Sequence, residues 1–343
     1  MRRALFNHSA GGAETGILMT ERIRQQAEVP DGLAGERLDQ AAAQLFPDYS
    51  RSRLQDWIRK GELRCDGRAV KPREKVTQGA LLELDALCEE AVSWAPQPIS
   101  LDILYEDEHL LVLNKPAGLV VHPAAGHADG TLVNALIHHD PAFAQLPRGG
   151  IVHRLDRETS GVMVAAKSLL GHHSLVDQLH ARSVKRQYCA VCIGALTGGG
   201  TVEAPIGRHP RQRKKMAVVE QGGKPAVTHY RIARRFAHHT RLAVNLETGR
   251  THQIRVHMAW RHYPLVGDPV YGGRPRIPPG ASPRLIETLR GFARQALHAE
   301  SLGLLHPATG EPMQFDCPLP ADIAALLQVL EEEDAIDTAV HPA

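Results

Sequence analysis

Between Gly150 and Lys167 a charged group, His153-Arg154-Leu155-Asp156-Arg157-Glu158, separates two apolar runs, Ile151-Val152 and Val162 to Ala166. The runs read as the end of one strand and the body of the next, so Asp156 falls in a connection where a rigid scaffold can present a carboxylate to a ligand. Arg154 and Arg157 flank it, and guanidinium groups brought close would favour its ionised form. Thr159-Ser160-Gly161 reads as turn chemistry. On composition alone an aspartate between two arginines is as a rule a surface ion pair, and the residues by themselves go no further.

Other reactive groups lack a spacing that makes a site. Cys189 and Cys192 form a C-x-x-C inside the strand-like run Gln187 to Ile193, where positions three apart point to opposite faces. They read as buried strand cysteines, and no second pair completes a zinc site. The 20 histidines are scattered, and His252 and His257, five apart, suit neither one helix face nor one strand face, so no metal is expected. With no dinucleotide fingerprint and no Walker loop, no cofactor is expected either.

The string His153-Arg154-Leu155-Asp156-Arg157-Glu158-Thr159-Ser160-Gly161 resembles the signature of the family of ribosomal and transfer RNA pseudouridine synthases. Four further segments agree with that family in order: Asp102 to His109 with Leu113 to Gly118, Lys185 to Tyr188, Leu246 to His257, and Gly267 to Gly272. Within it the likeness is greatest to a synthase of the large ribosomal subunit, through Phe46 to Arg53, Lys224 to Tyr230 and Gly272 to Pro275. The resemblance implies an isomerase that breaks the uridine N1 to C1′ bond, turns the uracil and rejoins it through C5. Asp156 is then the essential aspartate, as nucleophile or as base at C2′; Arg255 is its basic partner, and Tyr188 stacks on the base. Arg154 would enter the RNA in place of the flipped base, a task for a planar guanidinium, and Arg250 and His252 are further candidate RNA contacts. The implied substrate is 23S ribosomal RNA, free or in a pre-50S or 50S particle, at the uridine cluster of helix 69. Another large-subunit site, or an idle assembly factor, is the alternative.

A net charge of +2 does not itself point to nucleic acid, but its distribution does. Between Arg51 and Lys75 nine basic residues, Arg51, Arg53, Arg59 and Lys60 among them, stand against four acids. Arg211, Arg213, Lys214 and Lys215 lie in a stretch with no acid between Glu203 and Glu220. Both clusters are candidate phosphate contacts.

The positioning elements fall into two parts. Residues 1–35, rich in Gly, Ala and polar groups, read as a disordered extension, with Met1 or Met19 as the start. Helical spacing at Leu38, Ala41, Ala42 and Leu45, then at Leu54, Trp57 and Ile58, precedes a hairpin signal, Leu63 to Cys65, Asp66-Gly67 and Arg68 to Val70. A strand from Ala80 to Leu84 closes residues 36–88, an order that resembles the S4 RNA-binding domain. Residues 89–99, with Pro96 and Pro98, read as a linker, 100–332 as the catalytic domain and 333–343 as a flexible tail. In the larger part strands and helices mix without steady alternation, which predicts α+β. The resemblance adds a mainly antiparallel bent sheet with a central cleft. Five cysteines without a framework, no apolar run of about 18 residues and no leader-like core predict a soluble cytoplasmic protein, read as a monomer.

Overall fold

The computed structural model describes residues 20–47, 49, 51–89, 94–123, 129–212 and 215–340. They divide into two compact units, split between Ser93 and Trp94.

The first unit comprises β1 (Thr20–Glu28), α1 (Leu38–Leu45), α2 (Arg51–Lys60), β2 (Leu63–Cys65) and β3 (Leu81–Glu89). Its antiparallel sheet runs β1-β3-β2. The helical spacing gathers Leu38, Ala41, Ala42, Leu54, Trp57 and Ile58 into one core with Leu82 and Leu84. Asp39, with no exposed surface, ties the two helices by accepting from Arg37, Arg51 and Gln55.

Two expectations are corrected in this unit. Residues 20–28 are not a disordered extension: β1 pairs with β3 along its whole length, and Ile23 and Ala27 pack on the core. Too few apolar residues alternate there to announce a strand, and order comes from the free edge of β3. Residues 1–19 lie outside the described residues. Arg68 to Val70 do not form the return limb of a hairpin. Only a bridge from Cys65 to Arg68 follows the turn, and β2 pairs instead with Leu82 to Leu84, which buries Leu63 and Cys65.

The second unit begins with β4 (Asp102–Glu106), β5 (Leu110–Lys115), α3 (Leu132–His139), β6 (Ser160–Ala166), α4 (Leu169–His180) and β7 (Lys185–Ile193). It continues with β8 (Gly200–Glu203), β9 (Ile206–Arg208), β10 (Met216–Val218), β11 (Val227–Arg235) and β12 (His239–Leu246). Last come α5 (Gln253–Trp260), α6 (Pro283–Gly291), β13 (Leu297–Leu305), β14 (Pro312–Asp316) and α7 (Ala321–Val340). One large sheet runs β4-β5-β6-β13-β7-β12-β11-β8 with β14 on β13, and only the β6 to β13 pairing is parallel. The unit is thus α+β around a mainly antiparallel sheet. Side chains of β7 alternate between two cores: Tyr188, Ala190 and Cys192 face the cluster built on β5, β6 and α3, and Val191 faces the one built on α6 and α7. Cys189 and Cys192 are buried free thiols.

Gly161, expected in a turn, lies inside β6 with φ 116°. A Cβ there would stand 2.2 Å from the Ala299 carbonyl oxygen, so its lack of a side chain lets β13 approach. Nor do residues 333–340 form a flexible tail, because α7 continues to Val340. Ile323, Leu326 and Leu330 bury its inner face, and acids along it accept from Arg234, the Ala237 amide and the Ser282 amide. Among the described residues no helix is long and apolar enough to cross a membrane.

Candidate active site

Asp156 lies in the connection entering β6, and hydrogen bonds fix that connection on both sides of it. The Thr159 amide donates to the Asp156 carbonyl (3.0 Å) and the Gly118 amide to the Arg157 carbonyl (2.9 Å). Lys115, at the end of β5, has no exposed surface, and its Nζ donates to the carbonyls of Pro116, Leu119 and Arg157 at 2.6, 3.0 and 3.0 Å. Burial pushes its pKa down to about 7, with the charges of Glu158 and Asp156 opposing. Three carbonyl acceptors match the three N–H bonds of an ammonium, so the lysine ties the turn after β5 to the residue beside Asp156.

Arg255 reaches Asp156 from α5. Gln253 sets the start of that helix: its amide group donates to the Val227 carbonyl and Thr228 Oγ1, and its Oε1 accepts from Thr248 and the Arg250 amide. Arg255, 4% exposed, donates from Nη1 to Asp156 Oδ2 (3.0 Å) and from Nε and Nη2 to both oxygens of Asp268 (2.8 and 2.9 Å). One guanidinium thus serves two carboxylates, bidentate to the buried one and single to the one facing the cleft. Burial opposes charge on Arg255, yet Asp268 and then Asp156 more than offset it and raise its pKa. Burial likewise opposes charge on Asp268, but Arg255 and the amides of Tyr271 and Val270 hold its carboxyl below the usual range.

His252 and Tyr271 complete the surroundings. His252 Nε2 stands 3.9 Å from Asp156 Oδ2, and its Nδ1 is 2.8 Å from the Tyr271 hydroxyl. Burial lowers the His252 pKa, with Asp156 opposing and Arg255 reinforcing the shift. The Tyr271 ring lies 5.1 Å from the Arg255 guanidinium, a cation–π contact.

Asp156, Tyr188 and Arg255 all line one cleft of about 470 Å³, a size that accommodates a single planar ring. Tyr188 is buried, which raises its hydroxyl pKa. A carboxylate at the wall of such a cleft, with a guanidinium bonded to it from behind, suits attack on a sugar carbon or removal of a proton from one.

The other residues singled out by sequence divide sharply. Arg154 is exposed in the cleft wall, and Arg250 lines it while donating to the Pro225 carbonyl (3.0 Å). His153 is a structural acceptor: its Nε2 takes the Val164 amide at 3.1 Å, and burial and Arg186 push its pKa down to about 3. Arg51 is held by Asp39, Arg53 stands over the Trp57 ring, Arg59 pairs with Asp56, and Lys60 is exposed at the end of α2. Arg211 is exposed and Lys215 half-buried between β9 and β10; Arg213 and Lys214 lie outside the described residues. Sequence reading assigned nothing to Asp268 or Arg186. No local pattern announces a buried carboxylate such as Asp268, whereas Arg186, two residues before Tyr188 and so on its strand face, carried a legible signal.

The protein compares closely with known ones. A family model of RNA pseudouridylate synthases matches residues 109–260, and an S4 domain model matches residues 36–82. Ribosomal large subunit pseudouridine synthase D of Pseudomonas aeruginosa is 60% identical over 315 residues, covering 92% of this chain and 98% of that one. The enzyme of the same name from Xanthomonas campestris is 55% identical, covering 91% and 94%. Among solved structures, human RNA pseudouridylate synthase domain containing 4 superposes with a TM-score of 0.52 at 28% identity, covering 67% of this chain and 93% of that one. Identity of this degree along nearly the whole of both chains means that the protein belongs to the RNA pseudouridylate synthase family.

Proposed function

We propose that this protein isomerises uridines of 23S ribosomal RNA in the cytoplasm, with the uridine cluster of helix 69 as its target and Asp156 as the essential carboxylate. The observation that carries the reading is the Asp156–Arg255–Asp268 arrangement at the wall of a basic cleft. The names of the relatives, which act on the large ribosomal subunit, support the choice of RNA. A short stem-loop offers unpaired uridines, whose flipping costs less than the few kcal/mol needed within a duplex. Arg154 fills the vacated stack, and the uracil enters beside Tyr188. Arg255 orients the Asp156 carboxylate while it attacks C1′ or takes the C2′ proton, and Asp268 keeps Arg255 in place.

The experiment is pseudouridine mapping of ribosomal RNA from cells with the protein, without it, and with Asp156→Asn in its place. The expected outcome is loss of the helix 69 marks in the second and third strains. Marks lost elsewhere with helix 69 intact would move the target, and full marking by Asp156→Asn would remove that residue from its role.

A further inference from the structure

One cation of the cleft is used by nothing above. Arg186, on β7, is 8% exposed, yet it forms no ion pair among the described residues. Its Nη2 donates to the carbonyls of Leu246 (3.4 Å) and Glu247 (3.0 Å) at the end of β12. Its Nε–H is buried without any acceptor, and Nη1 makes no hydrogen bond among the described residues. A buried guanidinium in this condition is costly unless an acceptor arrives from outside.

The position says which acceptor. Arg186 and Tyr188 are two apart on β7, share one strand face, and line the cleft together with Asp156. Gly249 leaves room for the fork, since a Cβ there would stand 2.9 Å from Nη1. Arg148 and Arg154 line the same cleft as exposed cations, suited to phosphates that stay hydrated, whereas Arg182, also exposed there, pairs with Glu247. A buried donor set beside the tyrosine meets what enters deepest, the flipped base. We propose that Arg186 donates to a carbonyl oxygen of the uracil and holds the negative charge the ring acquires when N1–C1′ breaks.

The inference rests on the proposed function, and it holds for either role of Asp156. As a nucleophile, a carboxylate oxygen bonds to C1′ while the N1–C1′ electron pair leaves with the ring as uracil anion. C5 then bonds to C1′, the ester pair returns to Asp156, and the proton lost from C5 is replaced by one gained at N1. As a base, Asp156 takes the C2′ proton, the same pair leaves with the ring, the proton returns to C2′ when C5 attacks C1′, and here too the proton lost from C5 is replaced by one gained at N1. Both routes pass through an anionic uracil.

The test uses the full-length protein in excess over a helix 69 stem-loop carrying uridine or 5-fluorouridine, with loss of the starting nucleoside followed by chromatography and mass spectrometry. Fluorine itself stabilises the ring anion, so it substitutes for part of what Arg186 does. Arg186→Gln is expected to slow single-turnover loss of uridine by about 10²- to 10³-fold, with RNA affinity within about threefold of wild type and a deficit at least about tenfold smaller on 5-fluorouridine. Weakened affinity with an unchanged rate at saturating protein would make Arg186 a phosphate contact, and an equal deficit on both RNAs a structural residue; either overturns the proposal. Should the glutamine variant not fold, Arg186→Lys carries the same comparison, because it keeps the charge and loses the planar fork. Absence of pseudouridine from the unaltered protein would overturn the proposed function and this inference with it, whereas an active protein indifferent to Arg186 would sink the inference alone.

Discussion

Asp156 and Asp268 share Arg255, and changing each to asparagine should have opposite consequences. Asp268 is 1% exposed and bonds Arg255 twice. Asp268→Asn breaks a buried pair and turns an amide N–H toward a guanidinium donor, a change that costs about 3–5 kcal/mol. The remaining bond from Arg255 to Asp156 sets the expectation at the lower end. Asp156, whose side chain is 18% exposed, bonds Arg255 once, and Arg255 keeps its bidentate partner when Asp156 is neutralised. Asp156→Asn exchanges a hydrogen bond between two charged groups for one from the guanidinium to a neutral oxygen, a loss of about 1 kcal/mol. The two isosteric changes therefore differ by about 2 kcal/mol in stability, with Asp268→Asn the less stable. Activity should run the other way: Asp156→Asn makes no product in a single turnover, and Asp268→Asn retains a reduced rate. Equilibrium urea unfolding by circular dichroism, fitted with one transition for each unit, gives the first comparison, and single-turnover pseudouridine formation gives the second. Equal stability losses, or an active Asp156→Asn protein, would refute the division of labour between the carboxylates.

Acid should destabilise the synthase unit through His153, whose folded pKa of about 3 lies below its ordinary 6.5. A folded pKa below the unfolded one means that the stability is complete above about pH 6.5 and lost as pH falls toward 3, with a slope of at most about 1.4 kcal/mol per pH unit. His153→Gln should flatten that dependence in urea melts at pH 7.5 and 5; parallel profiles for both proteins would argue against it. Residues 94–343 alone should fold, because the core on Leu38, Leu54 and Leu82 is complete within the first unit, and should bind ribosomal RNA more weakly with a shallower salt dependence. Unchanged affinity and salt slope in filter binding would count against an RNA role for the first unit. Gly161→Ala should lose roughly 2–6 kcal/mol, from backbone strain at positive φ together with overpacking against Ala299. A thermal midpoint within a degree of wild type would contradict the close approach of β6 and β13.

Much of the protein was legible locally. Helices α1 and α2 followed from apolar spacing, because burial of one face writes a period of 3.6 into the residues themselves. The connection holding Asp156 and the string around it were readable for a similar reason, since a group presented between two strands leaves a charged interruption between apolar runs. The S4-like and synthase regions were likewise legible as ordered motifs.

Tertiary structure decided what depends on partners distant in the chain. Thr20–Glu28 is a strand because β3 offers it an edge, and Gly161 serves close strand approach because β13 lies against it. Arg51, legible only as one more cation, is held by a buried carboxylate 12 residues away. Arg255 meets Asp156 across 99 residues, and the carboxylate that holds it in place is fully enclosed. Arg186 has no ion-pair partner among the described residues, and its hydrogen-bond acceptors, the carbonyls of Leu246 and Glu247, lie 60 and 61 residues away. Periodicity records which side of an element is buried, whereas ion pairs and close approaches depend on which elements the fold brings side by side, and no local pattern carries that information.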